Sequence, residues 1–121
     1  MPRILVIEDE PLLRQMIGIA LSKANYVVVE CEDGRKGIEA HEKQPVDLVI
    51  TDLIMPEMEG IETIRCLRKL SPTLPIIAIS GGGRVTPESY LSIARRMGAT
   101  KVLAKPFELT LLCATVAELL D

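Results

Sequence analysis

The chain has 121 residues and a formal net charge of −3, with 48% hydrophobic and 26% charged residues. This length fits a single domain that buries a core without disulfide bonds or a structural metal. With two Tyr, one Phe and no Trp, the chain lacks the rings of a base-stacking surface, and it has no run of Lys and Arg, so we expect no direct nucleic-acid partner. No apolar stretch reaches the roughly 18 residues that span a bilayer, so we expect no membrane partner and a cytoplasmic location.

Short apolar runs alternate with longer amphipathic segments along the chain. In order, they predict a strand at Arg3–Glu8, a helix at Pro11–Lys23, a strand at Tyr26–Glu30, a helix at Gly34–Lys43, a strand at Leu48–Thr51 ending at Asp52, a helix at Glu59–Leu70, a strand at Pro75–Ser80, a helix from Thr86 to Met97 that stops at Gly98, a strand at Lys101–Ala104 and a helix at Phe107–Leu120. This strict alternation predicts a parallel α/β sheet covered by helices on both faces.

Polar side chains stand at the ends of four of the predicted strands: Glu8 and Asp9, Asp52, Ser80, and Lys105. Ligands of such sheets bind beyond the carboxyl ends of the strands, so these groups are candidates for one site. Converging carboxylates need a cation to stay ionised, and an all-oxygen site suits Mg²⁺. The metal, an ammonium and a hydroxyl together would receive a dianionic three-oxygen group, with Asp52 as a carboxylate nucleophile. The alternative is that these groups are solvated strand ends.

The strings IEDE at 7–10, DLIMPEMEG at 52–60 and KPF at 105–107, with Ser80 between the last two, occur in one order along the chain. In this respect the whole sequence resembles the receiver domain of two-component response regulators. The resemblance implies a doubly wound, flavodoxin-like (βα)5 three-layer fold with strand order 2-1-3-4-5, filling residues 1–121. It also implies a non-enzymatic phosphorelay protein. This phosphoprotein would take a phosphoryl group from a histidine kinase or phosphotransfer protein and act on a downstream protein target or output domain.

Carried over residue by residue, the resemblance assigns the phosphoryl group to Asp52. It implies that Asp9 binds Mg²⁺, that Glu8 assists partly through water, and that Asp52 and the backbone carbonyl of Ile54 complete the protein ligands. Lys105 would pair with Asp52 and the phosphoryl group, and Ser80 would move to hydrogen-bond a phosphoryl oxygen. The peptide bond before Pro106 would be cis.

Two features depart from the family pattern. Val102 stands where the family usually has a switching aromatic ring or His, and its stiff side chain cannot swing in the same way, so we interpret it as a packing residue with weak or altered output coupling. Gly81–Gly83 follow Ser80, and we expect this loop to be mobile without phosphate and to order around a phosphorylated site. The string GGGRVT lacks the Lys-Ser/Thr ending of a nucleotide-binding loop.

The first helix carries two apolar rows. Leu13, Ile17, Ala20 and Ala24 form the expected core row, while Leu12, Met16 and Ile19 form a second row. We favour a broad core face for the second row; the alternative is a docking surface for a kinase or phosphotransfer helix. The three cysteines, Cys31, Cys66 and Cys113, lack metal-ligand spacing, and we interpret them as small buried hydrophobic residues.

Two other functions would use the same residues. A degenerate receiver would act only as a binding module, against which the complete set Asp9, Asp52, Ser80 and Lys105 argues. An aspartyl-phosphate hydrolase would need a second acid two residues after the nucleophile, where this chain has Ile54. We expect either a stand-alone receiver or one domain of a longer protein.

Overall fold

The structure is a computed structural model that describes residues 1–53, 59–80, 92, 95–96 and 98–120. These ranges contain, in chain order, β1 Arg3–Ile7, α1 Pro11–Lys23, β2 Val27–Cys31, α2 Gly34–Lys43, β3 Leu48–Asp52, α3 Glu59–Leu70, β4 Ile76–Ser80, β5 Lys101–Ala104 and α4 Leu109–Leu120. Ser92, Arg95 and Arg96 are helical. The rest of the helix predicted from Thr86, the glycine loop Gly81–Gly83 and Ile54 lie outside the described residues.

The five strands form one parallel sheet in the order β2-β1-β3-β4-β5, which confirms the predicted topology. The chain runs from β1 outward to β2 and then returns to the other side of β1 for β3. The carboxyl ends of β1 and β3 are therefore neighbours, with Ile7 paired to Thr51. Asp52 pairs in turn with Ile79 of β4, and Ser80 pairs with Ala104 of β5. The sheet thus brings all four predicted strand ends to one edge.

Two apolar clusters lie on opposite faces of the sheet, because alternate side chains of a strand point to opposite sides. Leu5, Ile7 and Val49 pack with Ile64 and Leu67 of α3 on one face. On the other face, the cluster consists of sheet residues together with residues of α1 and α4: Ile4, Val6, Leu48, Ile50, Ile77, Ile79, Ile17, Leu21, Leu112 and Val116. Both faces are covered, and the predicted three-layer arrangement is confirmed.

Hydrogen bonds explain where the element ends differ from the sequence prediction. The strand predicted from Tyr26 begins one residue later, because the Tyr26 amide donates to Leu21 O of the preceding helix. That strand extends to Cys31, whose carbonyl accepts from the Glu8 amide at 3.1 Å. The last helix begins at Leu109, since the Leu112 amide bonds to the carbonyl of Glu108.

The outer row of α1 is exposed, so the prediction that it broadens the core face is wrong. Leu12 is 65% exposed, Met16 45% and Ile19 57%. The buried α1 residues are Ile17, Gly18 and Leu21, and Ala24 of the predicted core row is exposed. Hydrophobic periodicity marks an apolar stripe and does not distinguish a core from a surface.

The three cysteines differ in their exposure. Cys31 and Cys113 are partly buried against the two apolar clusters, as expected for small hydrophobic residues. Cys66 is exposed on α3, so its predicted burial is wrong. Within the described residues, no helix is long and apolar enough to cross a membrane.

Gly60 allows the start of α3 to approach the end of β3. A methyl group at this position would lie 2.7 Å from Leu53 Cα and closer still to the carbonyl oxygen of Asp52. Both are backbone atoms that move only with the strand end. Gly18 of α1 differs, because a methyl group there would meet Glu30 Oε2, the tip of a flexible side chain, at 2.7 Å.

We expect Gly60→Ala to lower the free energy of unfolding by about 2 kcal/mol or more, because the new methyl group forces backbone displacement at Asp52 and Leu53. Gly18→Ala is the matched control and should stay within about 1 kcal/mol of wild type, since Glu30 can move and Ala favours the helix. Urea denaturation of both variants measures the effect. Equal stability of the two variants would contradict this account of Gly60.

Candidate functional site

Three carboxylates meet at the carboxyl edge of the sheet. Glu8 follows β1, Asp9 is its neighbour, and Asp52 ends β3; each offers a ligand atom, and these atoms lie within 4.8 Å of one another. Glu8 is 1% and Asp52 2% exposed, whereas Asp9 is exposed. Two buried acids and one open acid form an oxygen-only site with access from one side, a donor set that fits a hard divalent cation such as Mg²⁺.

The Lys105 ammonium bridges the two buried carboxylates. Its Nζ donates to Asp52 Oδ2 at 2.9 Å and to Glu8 Oε1 at 3.1 Å. Burial works to lower the pKa of Lys105, but the hydrogen bonds and negative charges of Asp52 and Glu8 outweigh it and raise the pKa above its usual value. The lysine therefore holds a full positive charge against both acids. It follows β5 directly, and its amide donates to Ser80 O at 2.8 Å.

Arg14 and Glu30 support the site, and the sequence analysis missed both. Arg14 Nη1 donates to the backbone carbonyl of Glu8 at 2.8 Å, and its Nε lies 3.8 Å from Glu30 Oε1. The guanidinium thereby fixes the turn that carries the first two acids. The rule applied to the other strands, that polar residues at carboxyl ends converge, extends to Glu30 on β2 and could have found it.

Burial dominates the chemistry of Glu8. It raises the pKa of Glu8 to about 7, with the Asp9 hydrogen bond and the charge of Asp52 adding to the rise, while the Glu10 amide and Lys105 oppose it. One ammonium is thus not enough to hold the pKa of Glu8 at its usual value. A divalent cation would supply the missing positive charge, which is a second reason that these residues fit Mg²⁺.

The structure also locates the other predicted site residues. Ser80 ends β4 and is buried. Val102 lies in the edge strand β5 and packs against the cluster on the α3 face, as expected of a packing residue. The peptide bond between Lys105 and Pro106 is cis. Ile54, the predicted carbonyl ligand, lies outside the described residues.

Comparison with known proteins identifies the family. The family model of the response regulator receiver domain matches residues 4–117. The chain belongs to this family of two-component signalling domains. Receiver domains act as signalling switches and bind Mg²⁺ at an acidic cluster, and Glu8, Asp9 and Asp52 form such a cluster here.

Individual relatives agree with this assignment. The response regulator receiver protein CpdR of Brucella abortus is 38% identical over 90% of this chain and 88% of its own length. A probable transcriptional regulatory protein of Picosynechococcus is 35% identical over 98% of this chain but only 49% of its own length. Among solved structures, the Vibrio cholerae chemotaxis protein CheY4 superposes with a TM-score of 0.88 at 30% identity, covering 98% of both chains. The receiver fold therefore occurs both as nearly the whole of a relative and as part of a longer one.

The raised pKa of Glu8 predicts how stability depends on pH in metal-free buffer. The folded pKa of about 7 exceeds the unfolded value of 4.5, so the folded state holds the proton more tightly. Glu8 contributes its full stabilisation below pH 4.5, and this contribution is lost as the pH rises through about 7.

We therefore expect the free energy of unfolding of wild type, relative to Glu8→Gln, to fall by up to about 3 kcal/mol between pH 4.5 and 8. Other titrating groups, such as His41, are common to both proteins and cancel in the difference. Urea denaturation across this pH range, repeated with Mg²⁺, measures it, and saturating Mg²⁺ should flatten the curve. A difference that does not change with pH would refute the assignment to Glu8.

Proposed function

We propose that residues 1–121 form one receiver domain, which accepts a phosphoryl group on Asp52 from a phosphohistidine donor in a Mg²⁺-dependent reaction. The observation that carries this proposal is the contact of Lys105 Nζ with Asp52 Oδ2 at 2.9 Å, beside the acidic cluster. The contact holds a buried carboxylate and a cation side by side at the rim of the sheet. Such a pair suits a carboxylate nucleophile, because the acyl phosphate that it forms carries more negative charge than the carboxylate itself.

Each described residue has a distinct task in this reaction. Asp9 and Glu8 would hold Mg²⁺ together with Asp52, and the bound ion would neutralise the oxygens of the incoming group. Lys105 is 23% exposed at its side chain, so its ammonium can reach both Asp52 and a phosphoryl oxygen at the open side. Arg14 fixes the backbone of Glu8 through the hydrogen bond to its carbonyl. Ser80, buried at the end of β4, offers a hydroxyl donor after a small movement.

The transfer itself is a substitution at phosphorus. An Asp52 carboxylate oxygen forms the new P–O bond as the P–N bond to the donor imidazole breaks, and the imidazole nitrogen leaves with the electron pair. The negative charge at Asp52 increases as its carboxylate becomes an acyl phosphate, and Lys105 already faces this carboxylate. Stabilisation by preplaced charges is the main contribution a protein makes to such a step.

We expect Mg²⁺ and acetyl phosphate to add one phosphoryl group to the wild-type chain and none to Asp52→Asn, because the amide lacks the nucleophilic carboxylate. Asp47→Asn is the control: Asp47 is an exposed acid that accepts a hydrogen bond from the Arg3 amide. Intact-mass measurement, with and without a metal chelator, reads the result. No mass gain in wild type would favour a degenerate binding module, and a gain in Asp52→Asn would refute the site.

The exposed row of α1 supports a docking site for the phosphoryl donor. Leu12 and Met16 line an open groove of about 310 Å³ together with Pro106 and Phe107, and Lys105 is also among its lining residues. An apolar surface beside the reactive carboxylate suits a helix that must present its histidine to Asp52. Ile19 continues this row farther from the acids.

We expect Ile19→Asp to slow phosphoryl transfer from a phosphorylated histidine phosphotransfer protein by about tenfold, because it places a charge in an apolar contact. Phosphorylation by acetyl phosphate should not change, since Ile19 lies outside the acidic site. Leu70→Asp is the matched control, as Leu70 is an equally apolar residue, 48% exposed on α3. A protein donor that transfers equally fast to both variants would contradict docking on α1.

A further inference from the structure

A cationic hollow lies on the opposite edge of the sheet from the acidic site. Arg65, Arg68 and Lys69 of α3 and Arg96 line an open cavity of about 380 Å³. Among the residues that the structure describes, no acidic, apolar or aromatic side chain lines this hollow, although the chain as a whole carries a net charge of −3. The hollow is therefore positively charged on a chain whose net charge is negative.

These four cations have no acidic partner among the described residues. Elsewhere in the structure, cations are commonly paired: Arg14 with Glu30, Arg35 with Glu39, Lys36 with Glu32, Lys101 with Glu118, and Lys105 with two acids. Four like charges facing one hollow repel each other, and a bound anion would relieve that repulsion. The position of Arg68 and Lys69 in the last turn of α3 favours cations there through the helix dipole, but it does not account for Arg65 and Arg96.

Arg68 is already held in place. Its Nη1 donates to Pro72 O at 2.8 Å and to Ser71 O at 3.3 Å, and its Nη2 donates to Gly98 O at 2.6 Å. Gly98 has a φ of 108°, and a side chain there would crowd Arg68 Nε at 3.0 Å. The guanidinium thus joins α3 to the chain before β5, and it supplies a fixed positive charge to the lining of the hollow without further loss of side-chain freedom on binding.

The hollow is separate from the phosphoryl site. Pro72 and Gly98 precede β4 and β5, whereas Asp52 and Ser80 end their strands. A five-residue strand extends roughly 16 Å at about 3.3 Å per residue, so one small anion cannot touch both sites.

We propose that this hollow binds a compact polyphosphate anion, recognised through its pyrophosphate group. Arg65 and Arg96 carry planar guanidinium groups that match phosphate oxygens in pairs, whereas Arg68, whose Nη atoms already donate to backbone carbonyls, contributes its positive charge. A diphosphate concentrates several negative charges within the reach of all four side chains, which separate carboxylates on a flexible peptide do not. Because the described lining residues include no aromatic ring, we assign the recognition to the phosphates and not to a nucleobase.

The test is calorimetric titration of the full chain with pyrophosphate in low-salt, metal-free buffer, with amide NMR shifts as a second readout. Wild type should bind, its affinity should fall as salt is added, and the shifts should centre on α3, Arg96 and Gly98. Arg65→Gln/Lys69→Gln and Arg96→Gln should each weaken binding, the double variant by about tenfold or more. Lys23→Gln/Lys43→Gln is the matched control, because both lysines are exposed, and it should bind like wild type.

Further titrations identify the ligand. Equal affinity for ADP and pyrophosphate would support the diphosphate as the recognised unit, and a clear preference for ADP would support a nucleotide as its source. Asp52→Asn should bind pyrophosphate unchanged, so this result is independent of whether Asp52 accepts phosphate. Absence of pyrophosphate binding, equal weakening in the Lys23/Lys43 control, or binding of hexaglutamate without binding of pyrophosphate would each overturn the proposal.

Discussion

The contact of one ammonium with two buried carboxylates is the interaction on which the rest of the site depends. Lys105 offsets the repulsion between Glu8 and Asp52, which the parallel sheet forces together at its carboxyl edge. The offset is incomplete, since the pKa of Glu8 still rises to about 7. The site therefore has too little positive charge by itself and would gain stability from a bound cation, which is the electrostatic condition for a metal-dependent switch.

The buried strands keep the two carboxylates close together despite their mutual repulsion. β1, β3 and β4 are buried on both faces, so their ends have little freedom to move apart. Arg14 fixes the turn after β1 through the Glu8 carbonyl, and Gly60 lets α3 close against the end of β3. The apolar core thus contributes the free energy that holds like charges within hydrogen-bonding range of one lysine, and the unfavourable arrangement stays confined to one edge of the sheet.

Sequence alone predicted most of this arrangement, because strand ends in a doubly wound sheet follow from element order. Glu8, Asp52, Ser80 and Lys105 could be placed together without knowledge of a single distance. The exposure of Leu12, Met16 and Ile19 could not be predicted, since an apolar stripe that meets a partner has the same periodicity as one that meets the core. The hydrogen bond from Arg14 to the Glu8 carbonyl could not be predicted either, because a long side chain that reaches a backbone atom leaves no recognisable spacing in the sequence.

The acidic site lies at the carboxyl ends of the strands, and the cationic hollow lies at their amino ends. Residues 80–98 connect the two. Ser80 begins that segment at the acidic edge, and Gly98 ends it at the cationic edge, where Arg68 holds its carbonyl. A phosphoryl group would engage Ser80 at one end, and an anion would engage Arg96 and the surroundings of Arg68 at the other. If binding at one end changes the affinity at the other, each ligand must alter the affinity for the other by the same factor. The constraint is thermodynamic and requires no aromatic ring at Val102.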